Sequence, residues 1–235
     1  MQTRMQTRRD RLRAVQPLAT ANLFVLLAAA VLFVVIADLV ADGEHLHVEE
    51  GIMEFLRQGE PPRPLGPAWL AKVARDVTSL GSMVVLTLLS AMVVGFLLLM
   101  RRFGAAIFLI CAVGGGQSLN AALKLCFGRE RPALEFRWTD VDSLSFPSGH
   151  ASSATVVYLA MAVLLSRLAN KTSHQVYIIG GALLLSFLVG LTRVYLRVHY
   201  PSDVIAGWAL GIVWAQLCWF AARGIGRRRL SRRAG

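Results

Sequence analysis

The chain has 235 residues, 55% of them hydrophobic and only 17% charged, with a mean hydropathy of +0.55. That balance excludes an ordinary soluble domain and indicates a membrane protein. The formal net charge of +11 does not point to nucleic acid, because the basic residues form short blocks at the ends of apolar segments, without a basic helix or interleaved aromatics.

The chain opens with a basic tail, residues 1–17, in which Met1-Gln-Thr-Arg repeats at Met5 without a function attached to it. Six apolar stretches then approach the roughly 20 residues that a bilayer core requires of a helix: about 18–41, 81–100, 104–126, 149–169, 176–196 and 203–222. Leu39 to Ala41 weakly resembles a signal-cleavage site. The apolar run before it exceeds the roughly 7–15 residues of a signal core, so the first span is read as a retained anchor.

Lys/Arg bias sets the orientation. The N-terminal tail, the 2–3 turn (Arg101, Arg102), the 4–5 turn (Arg167, Lys171) and the tail from Arg223 to Arg233 hold fifteen of the 25 basic residues and one of the 14 acidic ones, Asp10. Both termini are therefore expected in the cytoplasm of a cell inner (plasma) membrane protein, with the other face periplasmic or extracellular. The expected fold is all-α: a six-transmembrane helix bundle forming one domain over 1–235, with a surface-lying helical outer segment between spans 1 and 2. Within it, 1–17 and 223–235 are basic cytoplasmic tails, 42–80 is an outer cap segment and 81–222 is the core that carries the motifs.

In the outer segment a short helix is expected from Glu49 to Arg57, then a break at Pro61, Pro62, Pro64 and Pro67, then a second helix through Trp69, Leu70, Val73 and Val77. Such spacing suits a helix lying on the bilayer or, equally, a cap packed on the bundle. His45 and His47 lack ligand-like neighbours and read as surface residues. Cys111, Cys126 and Cys218 have neither C-x-x-C spacing nor zinc-spaced histidines, and are expected to be buried thiols.

Charged groups beside membrane spans are costly and often functional, and here they gather at one level. Lys124 and Arg131 flank the outer end of span 3, His150 opens span 4, Arg193 closes span 5, and His199 and Asp203 begin span 6. Singly, each cation reads as a snorkelling side chain. Together, three cations, two imidazoles and a carboxylate are the inventory of a site that handles an oxyanion.

The pattern Lys124-(six residues)-Arg131-Pro132, Pro147-Ser148-Gly149-His150 and Arg193-(five residues)-His199-(three residues)-Asp203 resembles the three-part signature of the type 2 phosphatidic acid phosphatase family, related to the vanadium haloperoxidases. The resemblance covers roughly 81–222. It departs at Thr192, where the family usually has Ser. It implies a membrane lipid phosphatase in which Lys124, Arg131 and Arg193 bind phosphate with Ser148 and Gly149. It also implies that His199 attacks phosphorus, Asp203 fixes its tautomer and His150 protonates the leaving oxygen.

The residue types agree with those roles. Two guanidinium forks and one compact ammonium suit a phosphoryl group whose charge is spread over several oxygens. Ser148 is a plausible helix cap, and free N–H groups at a helix start favour an anion. Asp203, four residues after His199 where Pro201 starts a helix, can reach one imidazole nitrogen and leave the other free. The carboxylate favours His199 as nucleophile, but the exchanged assignment, with His150 attacking, stays open on composition. No cofactor and no metal are expected, since the histidines lack a carboxylate cluster of metal-ligand type.

Gln117, Asn120 and Lys124 share one face of span 3 as supports for the site. Gly207-Trp-Ala-Leu-Gly211 and Gly114-Gly115-Gly116 fit close helix packing, within the chain or, for the former, in a dimer. The expected partners are the bilayer and a membrane lipid substrate, with undecaprenyl diphosphate favoured over phosphatidylglycerol phosphate and phosphatidic acid; the oligomeric state is open. The competing functions are a phosphotransferase acting on a lipid acceptor and a non-catalytic lipid-binding or transport protein.

Overall fold

Nearly every apolar stretch becomes a helix, because in a bilayer the backbone must satisfy its own hydrogen bonds. The computed structural model describes residues 2–43, 47–59, 63–132 and 143–234, and the side chains of 2–19, 47, 58 and 225–234 lie outside that description. His45, Pro61 and Pro62, and the side chains of the N-terminal arginines and of His47, are therefore outside the described residues. The elements in order are α1 (Gln2–Ala41), α2 (His47–Phe55), β1 (Arg57–Gln58), β2 (Arg63–Pro64), α3 (Ala68–Ser79), α4 (Met83–Leu99), α5 (Phe103–Phe127), α6 (Gly149–Ser166), α7 (Thr172–Tyr195) and α8 (Pro201–Ala234).

Five of these contain spans by length and apolarity: Thr20–Ala41, Phe103–Phe127, Gly149–Ser166, Thr172–Tyr195 and Pro201–Gly224. The sixth is α4, 17 residues long, which qualifies together with α3 across a 43° break at 80–82. Large apolar side chains such as Phe24, Met92, Leu125 and Leu184 are exposed, as lipid-facing positions should be.

The outer segment is more closely built in than a helix lying on the membrane surface. α3 packs along α7 and buries Ala71 and Ala74, although Trp69 stays exposed. α2 buries Glu49 and Met53, and a two-residue antiparallel hairpin, β1 with β2, closes the segment. The packed-cap alternative describes it better.

At the centre stands α6, half of whose span is buried against only 11% for α1. Its small residues, Ala151, Ser152, Ala154 and Thr155, allow neighbours to come close. A Cβ placed at Gly211 of α8 would lie 2.6 Å from Thr155 Cβ, and one at Gly207 would lie 2.8 Å from Ser148 O. The Gly207–Gly211 motif is thus spent on the α6–α8 seam within the chain. Gly115 and Gly116 receive the Trp214 ring, whose Nε1 donates to Ala112 O at 2.8 Å.

The expectation of buried cysteines fails: Cys111 and Cys126 are exposed and Cys218 is half-buried. In this bundle apolar character marks the lipid face as much as the interior, so hydrophobic neighbours in sequence do not distinguish them.

Candidate active site

The spans bring their polar ends together at one end of the bundle. Lys124 lies in the last turn of α5, His150 is second in α6, Arg193 lies in the last turn of α7 and Asp203 is in the first turn of α8. Two irregular segments complete the site. One, residues 143–148, is anchored by Phe146, fully buried against Phe33 and Phe127 at ring distances of 6.1 and 4.8 Å. The other is the α7–α8 corner, where Leu196 and Val198 are buried against Ala74. Arg197 there adopts φ 55°, a left-handed conformation that costs a non-glycine residue on the order of 1 kcal/mol. This reversal turns His199 back into the bundle.

His199 is buried, with its two nitrogens in different surroundings. Nδ1 lies 3.4 Å from Asp203 Oδ2 and 3.3 Å from Ser145 Oγ. Ser145 donates its own proton to Asp203 Oδ2 at 2.5 Å, so both neighbours accept and the ring proton sits on Nδ1. Nε2 keeps its lone pair and faces Arg131 Nη1 at 3.1 Å. Burial pushes the His199 pKa down to about 3, opposed by Asp203 and reinforced by Arg131 and Arg193. The imidazole is therefore neutral at physiological pH, the form in which Nε2 has a lone pair to offer.

The cations surround this ring. Arg131 is held by Val198 O at 2.6 Å, by Ser143 Oγ at 3.0 Å and by Ser143 O. Lys124 Nζ donates to Leu144 O. Arg193, buried in α7, donates Nη1 to Thr78 Oγ1 at 3.2 Å, while its Nε is buried without a partner among the described residues. Neither Lys124 nor Arg193 has a carboxylate within salt-bridge distance among the described residues. His150 is half-buried, within Coulomb range of Arg193, His199, Arg131 and Lys124.

Ser148 occupies the N-cap position of α6 but makes no side-chain cap. Its backbone N–H donates to Asp203 O at 2.9 Å, and its Oγ is buried without a partner among the described residues. The helix-cap reading is thereby corrected. A buried hydroxyl and a buried guanidinium N–H left unsatisfied beside uncompensated cations are what an anion would complete. Gly149 stands next to Lys124: a Cβ there would lie 3.8 Å from Lys124 Cε and 3.4 Å from Asn120 Oδ1.

Of the expected supports, Asn120 donates to Ser152 Oγ at 3.0 Å and to Pro147 O at 3.4 Å, fixing the start of α6. Gln117 Nε2 is buried without a partner among the described residues. Thr192 directs its hydroxyl to Val189 O at 2.6 Å on its own helix. Among the described residues no three His, Cys, Asp or Glu side chains gather as metal ligands.

Four residues escaped the sequence reading. Ser145 bonds Asp203, Thr78 bonds Arg193, and Arg129 bridges Asp203 Oδ1 at 2.7 Å and Glu49 Oε2 at 2.9 Å. Burial alone would weaken the charge on Arg129, but Asp203 and Glu49 outweigh it and raise its pKa above the usual arginine value. Arg129 and Ser145 lie within or beside the first two motifs, where they could have been suspected. Glu49 and Thr78 come from the outer segment and carry no local signal.

Comparison with known proteins places this geometry in a family. The PAP2 superfamily model matches residues 102–226. Phosphatidylglycerophosphatase B of Bacillus subtilis (strain 168) is 33% identical over 148 residues, 62% of this chain and 71% of that protein. Lipid A 1-phosphatase of Rhizobium etli is 43% identical over 67 residues, 28% of this chain and 25% of that protein. The crystal structure of a transmembrane PAP2 type phosphatidylglycerolphosphate phosphatase from Bacillus subtilis superposes with a TM-score of 0.73 at 25% identity, covering 86% of this chain and 96% of that one. The chain belongs to the PAP2 superfamily, the type 2 phosphatidic acid phosphatases, and is a membrane-embedded phosphatase.

Proposed function

We propose that the enzyme hydrolyses a lipid phosphate or diphosphate through a phosphohistidine on His199 Nε2. The observation that carries this reading is the division of labour around that ring: proton and acceptors on Nδ1, lone pair and cations on Nε2. Arg131, Arg193 and Lys124 neutralise the equatorial oxygens, with Ser148 and the N–H groups of Gly149 and the start of α6 completing the cradle. Nε2 forms a bond to phosphorus as the bond to the leaving oxygen breaks. His150 gives that oxygen its proton, then takes one from the water that attacks the phosphohistidine and releases phosphate.

A lipid substrate is supported by the position of the site at the ends of the spans and by an apolar groove of about 400 Å³ lined by Thr155, Leu183, Phe187, Trp208 and Ile212. Thr155 and Trp208 each lie five residues deeper than His150 and Asp203, roughly 8 Å at 1.5 Å per residue. A headgroup at the site could leave a tail there, inside the bilayer. The Lys/Arg bias supports an orientation with both termini in the cytoplasm and the site on the outer face of the plasma membrane.

Undecaprenyl diphosphate suits an outward-facing site, whereas the Bacillus relative favours phosphatidylglycerol phosphate. The deciding experiment measures phosphate release in detergent from both lipids and from phosphatidic acid, with excess chelator and with His199→Ala as control. Chelator-resistant release that the variant loses is expected, and the rates rank the headgroups. Absence of release from all three by folded protein would sink the hydrolase reading, and phosphate appearing on an added acceptor lipid would replace it with a phosphotransferase.

A further inference from the structure

Glu49 lies outside residues 102–226, which the family model matches, yet it reaches the surroundings of the proposed nucleophile. It stands in the first turn of α2 with its side chain 5% exposed. One oxygen, Oε1, accepts from Ser202 N at 2.8 Å, and the other, Oε2, accepts from Arg129 Nη2 at 2.9 Å. Arg129, its side chain 9% exposed, donates Nη1 to Ser202 Oγ and to Asp203 Oδ1, both at 2.7 Å, and lies over the Tyr200 ring at 4.4 Å. Asp203, with no exposure, holds Ser145, Tyr200 N and His199 through Oδ2. A continuous line of polar contacts therefore runs from the outer segment to the imidazole.

Two buried carboxylates share one guanidinium. The Glu49 carboxylate takes one Nη of Arg129 and leaves the other to Asp203, so the guanidinium charge is divided between them and Asp203 stays a strong acceptor for His199 Nδ1–H. An uncharged amide at position 49 would let all of that charge fall on Asp203 and weaken it as an acceptor. With Arg129 gone, Oδ1 loses the contact that aims Oδ2 at the ring, and two carboxylates face each other without compensation.

We infer that Glu49 and Arg129 are positioning residues for the reaction, acting through Asp203 to keep His199 in one tautomer, and that docking of the outer segment on α8 is part of the competent site. The sign of the activity effect rests on the phosphohistidine reading above. The tautomer does not.

The test uses full-length Glu49→Gln and Arg129→Met, singly and together, with Glu49→Asp as the conservative variant. Kinetics on short-chain phosphatidylglycerol phosphate and phosphatidic acid are read beside side-chain ¹⁵N spectra of histidine-labelled protein, with His199→Gln to assign the resonance. The expected result is a loss of roughly tenfold or more in kcat with KM nearly unchanged in each single variant, and a double variant no worse than Arg129→Met. Glu49→Asp should recover part of the loss. The spectra should show His199 as one Nδ1–H tautomer in the wild type and as a mixture in Glu49→Gln and Arg129→Met. An unchanged tautomer in both folded variants, a change confined to KM, or additive losses would overturn the inference. If the wild type releases no phosphate while the variants still shift the tautomer, the substrate reading fails and the positioning role stands.

Discussion

Arg131 Nη1 lies 3.1 Å from His199 Nε2, on the opposite side of the ring from the Asp203 carboxylate. If His199 attacks phosphorus as proposed, this guanidinium occupies the path of the incoming phosphorus, and substrate oxygens have to replace His199 in that hydrogen bond. Arg131→Lys keeps the charge but loses the planar fork that also holds Val198 O and Ser143. The expected outcome is a fall in kcat of about 10²–10³-fold, the scale for removing one donor from a charge-stabilising site. Steady-state phosphate release checks it; a variant within a few-fold of wild type would place the phosphate elsewhere.

The two histidines are distinguished by covalent trapping. With a radiolabelled phosphate ester whose leaving group needs no protonation, His150→Ala should form the phosphoenzyme and turn it over about 10²–10⁴-fold more slowly, because the water loses its base. Label then accumulates on the protein. His199→Ala should never label. The exchanged assignment predicts the opposite pair of results, so one gel decides between them.

Acid should destabilise the folded enzyme partly through His199. Its pKa is pushed down to about 3, chiefly by burial, against about 6.5 for an unfolded histidine. A depressed base binds fewer protons folded than unfolded throughout that interval, so its contribution to stability falls as the pH drops from about 6.5 toward 3. The melting temperature in detergent, followed from pH 7.5 to 5, should decline more steeply for wild type than for His199→Gln, which cannot titrate. Parallel slopes would mean that His199 is not buried as a neutral ring.

How much of this was legible beforehand depends on where each partner lies in the chain. The spans were readable because bilayer thickness sets one length for all of them, and the candidate residues because Asp203 follows His199 by four positions, just inside the start of α8, while the cations sit at span ends. Glu49 and Thr78 were not readable. Each contacts a residue more than a hundred positions away, and nothing in the local pattern around an exposed-looking acidic or hydroxyl residue announces such a partner. For Ser148 the sequence offered two readings, helix cap and phosphate-binding candidate, because serine before a helix is commonest as a cap; its buried Oγ without a partner among the described residues removes the cap.

The α6–α8 seam ties stability to activity. A Cβ at Gly211 would meet Thr155 Cβ at 2.6 Å, and Ser152 O and Thr155 Cγ2 each at 2.9 Å. Ser152 O is backbone, and Thr155 is held by its hydrogen bond to Ala151 O at 2.8 Å, so neither yields by simple rotation. The helices must part by several tenths of an ångström, at about 1–3 kcal/mol by analogy with overpacked cores. Ser148 N and Asp203 O meet at 2.9 Å at the upper end of the same seam, so parting it also moves the carboxylate that holds His199. Gly211→Ala should therefore lower both the melting temperature in detergent and kcat. Gly180→Ala on α7, where an added Cβ meets nothing within 4 Å, should change neither appreciably. Equal behaviour of the two variants would show that the helices are not in contact along this line and that Asp203 is positioned by the α7–α8 corner alone.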